Sequence, residues 1–442
     1  MKTPLPAILR PALGVLVLAS IVWLQGCCCT PRPAKASASS NYGSWPLAKA
    51  SDPDVTLTSS NTSGTFSGNN VTVPVGTTIV VSGDLVLSAH TRLQVDGRIE
   101  FPSGQATNAS ITLFCDGNIV VGPTGFIGGG KAGPGDDDCT SPGNGGWHGG
   151  VIRLVATVIV NVEGTILGQE GGDGVSQTDS TATGSNGGSG GDVVLSAIEG
   201  INVLGTVTGG LGGRAGNATS DTPRHQTATA TAGHGDSGGD VVLEHPQHAA
   251  LPGVSTPVNI TGSVTAGAGG TGGTATATGD SYYATAHAGE AAVATGGNAG
   301  DGGRIICHGA TFASKLPTTG NGGTAGPATA TGGSGANSWW SAKNPGGNAT
   351  ATGGNGGKAG IALCPGSFVP TGSNSGGATA TATSGSGGSN TGAGYAAASG
   401  SATATGGSNG AGTAATPSSS VAAAPTGSTG GAGSTMISAG AP

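Results

Sequence analysis

Short apolar strands recur along the chain at long intervals, and each follows a glycine-rich stretch. The hexad Gly-Gly-Asp-Val-Val-Leu occurs at 190–195 and again at 238–243. Looser copies lie at 149–154, 302–307 and 359–364. Because a strand repeated at intervals of tens of residues is typical of a solenoid, the pattern predicts that each copy lies in one rung of a stack.

A second pattern, apolar-Asn-apolar-x-Gly-(Thr/Ser)-apolar, follows three of these copies at 160–166, 201–207 and 258–264. The spacing predicts two strands in each rung beyond residue 110. Period-two alternation places the first and third apolar residues of the strand on the interior face. The equivalent Asn161, Asn202 and Asn259 predict an internal ladder of side-chain amides, a structural role that we favour over ligand binding.

The opposite face of the hexad strands is also apolar, at Val194, Val242, Ile306 and Leu363. We therefore expect it to be covered by another part of the chain, since both faces of parallel sheets are usually buried. The glycine-rich excursions between the rungs are the candidates for that cover.

Short blocks of alternating alanine and threonine recur within the excursions. Alternation predicts a second, narrow stacked layer with alanine packed inward and threonine outward. The flanking Gly-Gly runs suit tight turns or extended backbones in close approach. The outward threonines form a candidate ligand face for ice or glycans, although threonine is also simply a soluble strand former. This candidate face contains Thr229, Thr231, Thr276, Thr278, Thr329, Thr331, Thr350, Thr352, Thr379 and Thr381.

The rung pattern resembles the right-handed parallel β-helix of secreted bacterial proteins, namely pectin-lyase-like folds and autotransporter or haemagglutinin-like passengers. The resemblance covers residues 54–366 and implies an all-β, right-handed parallel β-helix with long Gly/Ala/Thr-rich lateral loops. A Gly/Ala/Thr-rich extension is expected over 367–409 and a disordered tail over 410–442.

Residues 1–26 resemble a bacterial lipoprotein signal peptide. Lys2 and Arg10 precede an apolar stretch at 12–24 that is shorter than the ~20 residues needed to cross a bilayer. The run Leu-Gln-Gly-Cys at 24–27 resembles a lipobox, which implies acylation of Cys27. Residues 27–53 then read as a tether, and the residue after Cys27 is not aspartate, which implies the outer membrane. The alternative is a soluble secreted protein cleaved after Ala38.

Composition excludes two classes of protein. Of 442 residues, 91 are glycine, 3% are aromatic and 8% are charged, so an ordinary globular core is not expected. The net charge of -7 and the lack of a basic run argue against nucleic-acid binding.

The cysteines outside the anchor are expected to be core residues or disulfide partners. Cys115, Cys307 and Cys364 align with the last leucine of the hexad, where a small apolar side chain packs. Cys307 and Cys364 lie on successive rungs, so their Cα atoms fall within disulfide range. A Cys115–Cys139 bridge is the alternative pairing for the remaining two.

Candidate chemistry is sparse. Asp136, Asp137 and Asp138 form a weak candidate calcium site, but we favour the interpretation that they are solvated acids in a turn. The run at 235–239 resembles the nucleophile signature of chymotrypsin-like proteases, with His90 upstream. However, the preceding copy has Ser189 and two glycines in the same position, which indicates a junction between loop and strand. We expect no catalytic residues and no cofactor.

These observations predict an exported, lipid-anchored bacterial cell-surface protein with a structural or adhesive role. The expected partners are the membrane, through the lipid anchor, and glycans or another cell surface. A ligand-binding solenoid for polysaccharide or ice is the alternative. A polysaccharide-degrading enzyme is the third hypothesis, and it requires Asp, Arg or Lys residues clustered on one parallel sheet.

Overall fold

The structure is a stack of parallel strands. The computed structural model describes residues 48–104, 109–135, 145–221, 226–246, 256–281, 288–309, 311–334, 346–364, 372–384, 399, 401–409 and 435–438. These residues form 31 strands and no helix. The described strands pair in parallel throughout, so the predicted all-β parallel solenoid is confirmed. Within the described residues no helix has the length and apolarity needed to cross a membrane.

Two sheets enclose the apolar core. The first sheet, with fourteen strands, contains β1 (Val55–Thr56), β2 (Gly64–Val73), β4 (Leu85–Val95), β6 (Ile111–Cys115), β7 (Asn118–Val121), β9 (Ile152–Ala156), β10 (Ile159–Val162), β14 (Val193–Ala197), β15 (Gly200–Val203), β19 (Val241–Glu244), β20 (Val258–Ile260), β24 (Ile305–Cys307), β25 (Thr311–Ala313) and β28 (Ala362–Leu363). The second sheet contains β3 (Thr78–Val80), β5 (Arg98–Glu100), β8 (Phe126–Gly128), β11 (Thr165–Leu167), β16 (Thr206–Thr208) and β21 (Ser263–Thr265).

Each complete rung of this core has three strands, not the two that the sequence predicted. The pattern at 160–166 is divided between β10 in the first sheet and β11 in the second, because Gly164 bends the chain between them. In the first turns, the single long strand β4 replaces the first two strands of a rung, since it pairs with β6 and then with β7.

The interior of this core follows the predicted alternation. Ile152 and Leu154 from β9, Val160 and Val162 from β10 and Ile166 from β11 are all fully buried in one continuous cluster. Removing an aliphatic side chain of this size from water stabilises the fold by about 1.5–3 kcal/mol.

The outward face of the hexad strands is covered in only part of the stack. Val194 and Val242 are buried, whereas Ile306 is half-buried and Leu363 is 42% exposed. The expected cover therefore decreases towards the last rungs.

The asparagine ladder is in register but faces outward. Asn161, Asn202 and Asn259 are direct neighbours on β10, β15 and β20. They alternate with buried residues such as Val160 and are half-buried or exposed, so the prediction of an internal ladder is wrong. The Asn161 amide donates instead to the Glu163 carboxylate at 2.8 Å.

Two further sheets carry the alanine and threonine blocks, where one layer was predicted. The third sheet contains β12 (Gln177–Thr178), β17 (Ala218–Asp221), β22 (Ala275–Thr278), β26 (Ala328–Thr331), β29 (Ala380–Thr383) and β31 (Thr435–Ser438). The fourth contains β13 (Thr181–Thr183), β18 (Ala228–Thr231), β23 (Ala292–Thr295), β27 (Ala349–Thr352) and β30 (Ala402–Thr405). Their alanines form one buried cluster between the two sheets, and their threonines face outward as predicted.

The last strand of the third sheet lies in the segment expected to be a disordered tail. Thr435–Ser438 pairs with Ala380–Thr383, so that expectation does not hold for these four residues. The other residues of 410–442, like the predicted signal peptide, lie outside the described residues.

Glycine-rich segments join the core to the alanine sheets. An outgoing segment such as 168–176 leads from β11 to β12, and a returning segment such as 184–192 leads from β13 to β14. Their backbone hydrogen bonds repeat every three residues: the amides of Gly168, Gly171 and Gly174 donate to the outgoing segment of the next rung. Three residues per turn is the period of a polyproline II helix.

The outgoing and returning segments form two layers in direct backbone contact. The Gly188 amide donates to the Gly172 carbonyl at 2.8 Å, and the Gly213 amide donates to the Gly188 carbonyl at 2.6 Å. A methyl group on any of these three residues would overlap a backbone carbonyl of a neighbouring segment. Of each three residues, two therefore face neighbouring backbones and the third faces solvent.

We predict a large difference between adjacent substitutions in the segment 266–274. The Cβ atom of Gly270→Ala would overlap the Gly213 carbonyl oxygen, which no side-chain movement can relieve. We expect a loss of about 3 kcal/mol in the free energy of unfolding, the upper end of overpacking costs. Thr271→Ala, at the outward position, should change it by less than about 0.5 kcal/mol. Urea unfolding of both variants measures this, and equal stability would contradict the packing of the two layers.

Candidate functional site

The outward residue of each returning segment supports the next rung. The amide of His234 donates to Oδ1 of Asn186 at 2.8 Å, and the amide of Asn298 donates to Nδ1 of His234 at 2.9 Å. Asn355 and Ser408 continue the column, each donating its amide to Oδ1 of the preceding asparagine, at 2.8 and 2.9 Å. The column therefore gives the outward-facing amides a partner within the protein.

A second column on this face is formed by the charged residues Asp192, Asp240 and Arg304. The amide of Asp240 donates to Oδ1 of Asp192 at 2.8 Å, and the amide of Arg304 donates to Oδ1 of Asp240 at 2.7 Å. The Arg304 guanidinium also binds Oδ2 of Asp240 at 2.7 Å. This hydrogen bond raises the pKa of Arg304 above its usual value.

A shallow cavity of about 380 Å³ lies beside this column. Its polar lining includes Asp240, Arg304, Asp301 and Lys358. The third hypothesis requires such residues on one parallel sheet, whereas these four lie on the returning segments, outside the strands. In addition, Asp240 is bound by Arg304, and Oδ1 of Asp301 accepts the amide of Lys358 at 2.9 Å. The carboxylates thus have structural hydrogen bonds from one rung to the next.

The protease-like run does not form a catalytic triad with His90. Nδ1 of His90 lies 3.3 Å from Oδ2 of Asp116, so His90 has a different partner. The histidine beside the glycine segments is His148, whose Nδ1 lies 2.7 Å from Oγ of Ser189 and 3.9 Å from Oδ2 of Asp236. A triad needs its serine and its aspartate on opposite ring nitrogens, and here both approach Nδ1.

No metal site forms among the described residues, where no three His, Cys, Asp or Glu side chains converge. Asp136, Asp137 and Asp138, the candidate calcium ligands, lie outside the part of the chain that the structure describes. The same holds for Cys27 and for Cys139.

The structure divides the candidate ligand threonines between two opposite faces. The outward side of the third sheet contains Thr276, Thr278, Thr329, Thr331 and Thr381, and Thr379 lies exposed just before β29. The outward side of the fourth sheet contains Thr229, Thr231, Thr350 and Thr352.

The threonine columns of the third sheet are unbroken over three rungs. Thr276 aligns with Thr329 and then with Thr381, and Thr278 aligns in the same way with Thr331 and Thr383. In the fourth sheet, Val293 lies between Thr229 and Thr350, which interrupts one column. The other column of the fourth sheet runs unbroken over five rungs, through Thr183, Thr231, Thr295, Thr352 and Thr405. The third sheet differs in that both of its columns are complete over its three rungs.

Two cysteines of the core column form a disulfide. Cys307 and Cys364 are bonded, with Cα atoms 4.5 Å apart, and they join the last two rungs of the first sheet. Cys307 aligns with Leu243 as expected.

Cys115 does not align with the leucines: it pairs with Ala156, two residues beyond Leu154. Burial among apolar neighbours raises the pKa of its thiol to about 11.

The chain matches no protein-family model, no curated protein and no solved structure.

The hydrogen-bonded columns were not predicted from the sequence. The signal for them is the three-residue period of non-glycine residues, as in Ser-Asn-Gly-Gly-Ser-Gly-Gly-Asp at 185–192. Asn, Asp, Ser and His recur at the third position because each can accept a hydrogen bond from a backbone amide.

We predict that the Asn298 column needs a hydrogen-bond acceptor. Asn298→Leu keeps the volume but removes the acceptor for the Asn355 amide, so we expect a loss of about 1 kcal/mol in the free energy of unfolding. Asn298→Asp retains the carbonyl-like oxygen and should be close to the parent chain. Chemical denaturation compares the three proteins, and a leucine variant as stable as the parent would refute a supporting role.

We predict that the Cys115 thiol is inert in the native chain. With a pKa of about 11 it remains protonated at pH 8, so N-ethylmaleimide should modify it only after unfolding, as peptide mapping would show. Because this pKa lies above the ~8.5 of an unfolded cysteine, the thiol makes native stability fall as the pH rises from about 8.5 to about 11. In Cys115→Ala, the part of the stability loss between about pH 8.5 and pH 11 that is due to this thiol should be absent. Rapid reaction of the folded parent chain with N-ethylmaleimide would contradict the burial of Cys115.

Proposed function

We propose that the chain is an exported, lipid-anchored cell-surface protein with a structural or adhesive role and no catalytic activity. The observation that supports this proposal is the in-register columns of outward side chains. A stack that repeats one chemical group at a fixed interval suits multivalent contact with an extended surface. The polar side chains of the returning segments support the stack itself, which favours a scaffold over a catalyst.

The path of the chain is proposed to be that of a right-handed parallel β-helix. About 98% of crossover connections between parallel strands of one sheet are right-handed. The resemblance of the rung pattern to pectin-lyase-like folds and haemagglutinin-like passengers supports the same hand. The proposed anchor is an acyl group on Cys27, in the outer membrane, with residues 27–53 as its tether.

A second candidate function is binding of polysaccharide or ice through the threonines. The observation in its favour is the pair of columns on the third sheet, where Thr276, Thr329 and Thr381 repeat at the strand spacing of about 4.7–4.9 Å. Screening on a glycan array and in an ice-recrystallisation assay tests this function, and no signal in either would leave the structural role.

We predict that Cys27→Ser releases the chain from the membrane. In a bacterial host, the parent chain should sediment with the membrane fraction, incorporate labelled fatty acid and be cleaved by protease added to intact cells. Cys27→Ser should lose the label and the sedimentation, because a covalent acyl chain holds the protein through burial of its CH₂ groups at ~0.8 kcal/mol each.

The matched control is Cys28→Ser, which changes the adjacent cysteine and should behave as the parent chain does. An unlabelled parent chain found in the medium would refute the anchor and support the soluble secreted alternative. A labelled chain that intact cells protect from protease would refute the surface location.

A further inference from the structure

Further columns of outward residues lie beside the threonine columns of the third sheet, on the outgoing glycine segments. The strand β21 ends at Thr265, which pairs with Thr318, and the outgoing segments that follow carry outward residues at every third position. We define the hydroxyl face as the outward positions of 265–278, 318–331 and 373–383. Its threonines are Thr265, Thr271, Thr274, Thr276, Thr278, Thr318, Thr324, Thr329, Thr331, Thr379, Thr381 and Thr383, and its other members are Ala268, Asn321, Pro327, Ser373 and Gly376.

The hydroxyl face is held in register from one rung to the next. The amide of Gly269 donates to the carbonyl of Asn321, and that of Gly272 donates to the carbonyl of Thr324, at 2.9 and 2.8 Å. The alanine cluster fixes the strand portion from behind. The face spans 13 residue intervals along a rung, roughly 40 Å at the rise of about 3.1–3.3 Å per residue.

Charge is distributed unevenly around the stack. The outward positions of the two preceding rungs on the same side include Glu170, Asp173, Arg214 and Asp221. From Thr265 onward every outward residue of the hydroxyl face is neutral. The returning side of the same rungs carries the charged residues, including Arg304 and Lys358. The hydroxyl face is therefore neutral over its three rungs, as is the outward side of the fourth sheet, where Thr229, Val293 and Thr350 follow one another.

An open hydroxyl and methyl face is a poor site for a dissolved ligand. Soluble small molecules bind in concave sites that exclude water. On an open face, a hydroxyl that binds a sugar must first release its own water, so the net gain is small. Frozen water is different, because the water held by the face becomes part of the solid and no exchange is needed.

Both the hydroxyl group and the methyl group of threonine suit contact with ice. Its hydroxyl holds a water molecule at a fixed place in the column, and its methyl group restricts the orientation of the adjacent water. Charged side chains would instead orient water around themselves, so the neutrality of the face matters. The regular backbone lattice keeps these positions in place before any contact.

We propose that the hydroxyl face binds ice and that the chain attaches its cell to ice crystals. This inference rests on the proposed adhesive role and names its ligand. In this proposal the third sheet and the outgoing segments contact the ice, and the threonines of the fourth sheet do not.

Partition of the protein into growing ice tests the assignment. The full chain carrying Cys27→Ser, which lacks the predicted acyl site, would be frozen slowly onto a cooled probe. We expect it to be enriched in the ice relative to serum albumin. Thr329→Tyr, at the centre of the face, should reduce that enrichment by about tenfold, a loss of about 1.4 kcal/mol in binding free energy. Thr350→Tyr, on the equivalent strand of the fourth sheet, should not change it.

Circular dichroism and thermal melts of the variants show whether each still folds. If Thr329→Tyr unfolds, the smaller change Thr329→Val, which removes only the hydroxyl, takes its place. No enrichment of the parent chain in ice, or equal losses for the variants at 329 and 350, would overturn the inference. Retention on insoluble polysaccharide in place of ice would also overturn it, but the adhesive role would stand. If protease added to intact cells does not cleave the anchored chain, the adhesive role is refuted. The partition into ice, which uses the purified chain, still tests ice binding separately.

Discussion

Close contact between glycine backbones is the constraint on which the rest of the structure depends. The two layers of glycine segments donate amides to one another's carbonyls across gaps that leave no room for a Cβ atom, as at Gly172, Gly188 and Gly213. These layers pack without apolar side chains, and they lie between the aliphatic core of the first two sheets and the alanine cluster of the other two. They also fix the distance between the solenoid and the alanine sheets.

That contact determines the chemistry of the surface. Because two of every three residues in a segment face other backbones, a large side chain is mostly carried by the third. Gln169, buried beside the Gly150 amide in the first of these segments, is an exception. On the returning side the third residue is in most rungs Asn, Asp, His or Ser and accepts an amide hydrogen bond from the next rung, as Asn298 does for Asn355. Arg304 and Lys358 are exceptions. On the outgoing side of the later rungs the third residue is mostly threonine. One backbone arrangement thus gives the molecule two faces of different character.

The sequence predicted the parts of the fold that depend on period-two alternation. The buried positions of Ile152, Leu154 and Val193 and the inward alanines follow directly from it, and the position of Cys307 follows from the hexad. The third strand of each rung was missed because Gly164 lies inside one apparent pattern. The direction of Asn161 was missed because identical residues in a column can face either side of a sheet.

The candidate site was harder to predict for a related reason. The ten threonines share one local pattern, so the sequence does not separate Thr329 from Thr350, which lie on opposite faces. The hydrogen-bonded columns join residues 48 to 64 positions apart, for example Asn186, His234 and Asn298, and the joining distance varies from rung to rung. Only the register of the stack brings such residues together.

The varying separation within one column has an evolutionary consequence. Asp192 and Asp240 are 48 residues apart, whereas Asp240 and Arg304 are 64 apart, yet both pairs meet in the same way. The stack therefore accommodates extra residues between the strands and segments that pair, and we expect that a whole rung can be duplicated or lost without disturbing its neighbours. A single residue inserted within a glycine segment would shift every later position out of phase. We therefore expect related genes to differ mainly in the number of complete rungs or in the length of the connections between paired segments. The length of the glycine segments themselves should differ far less.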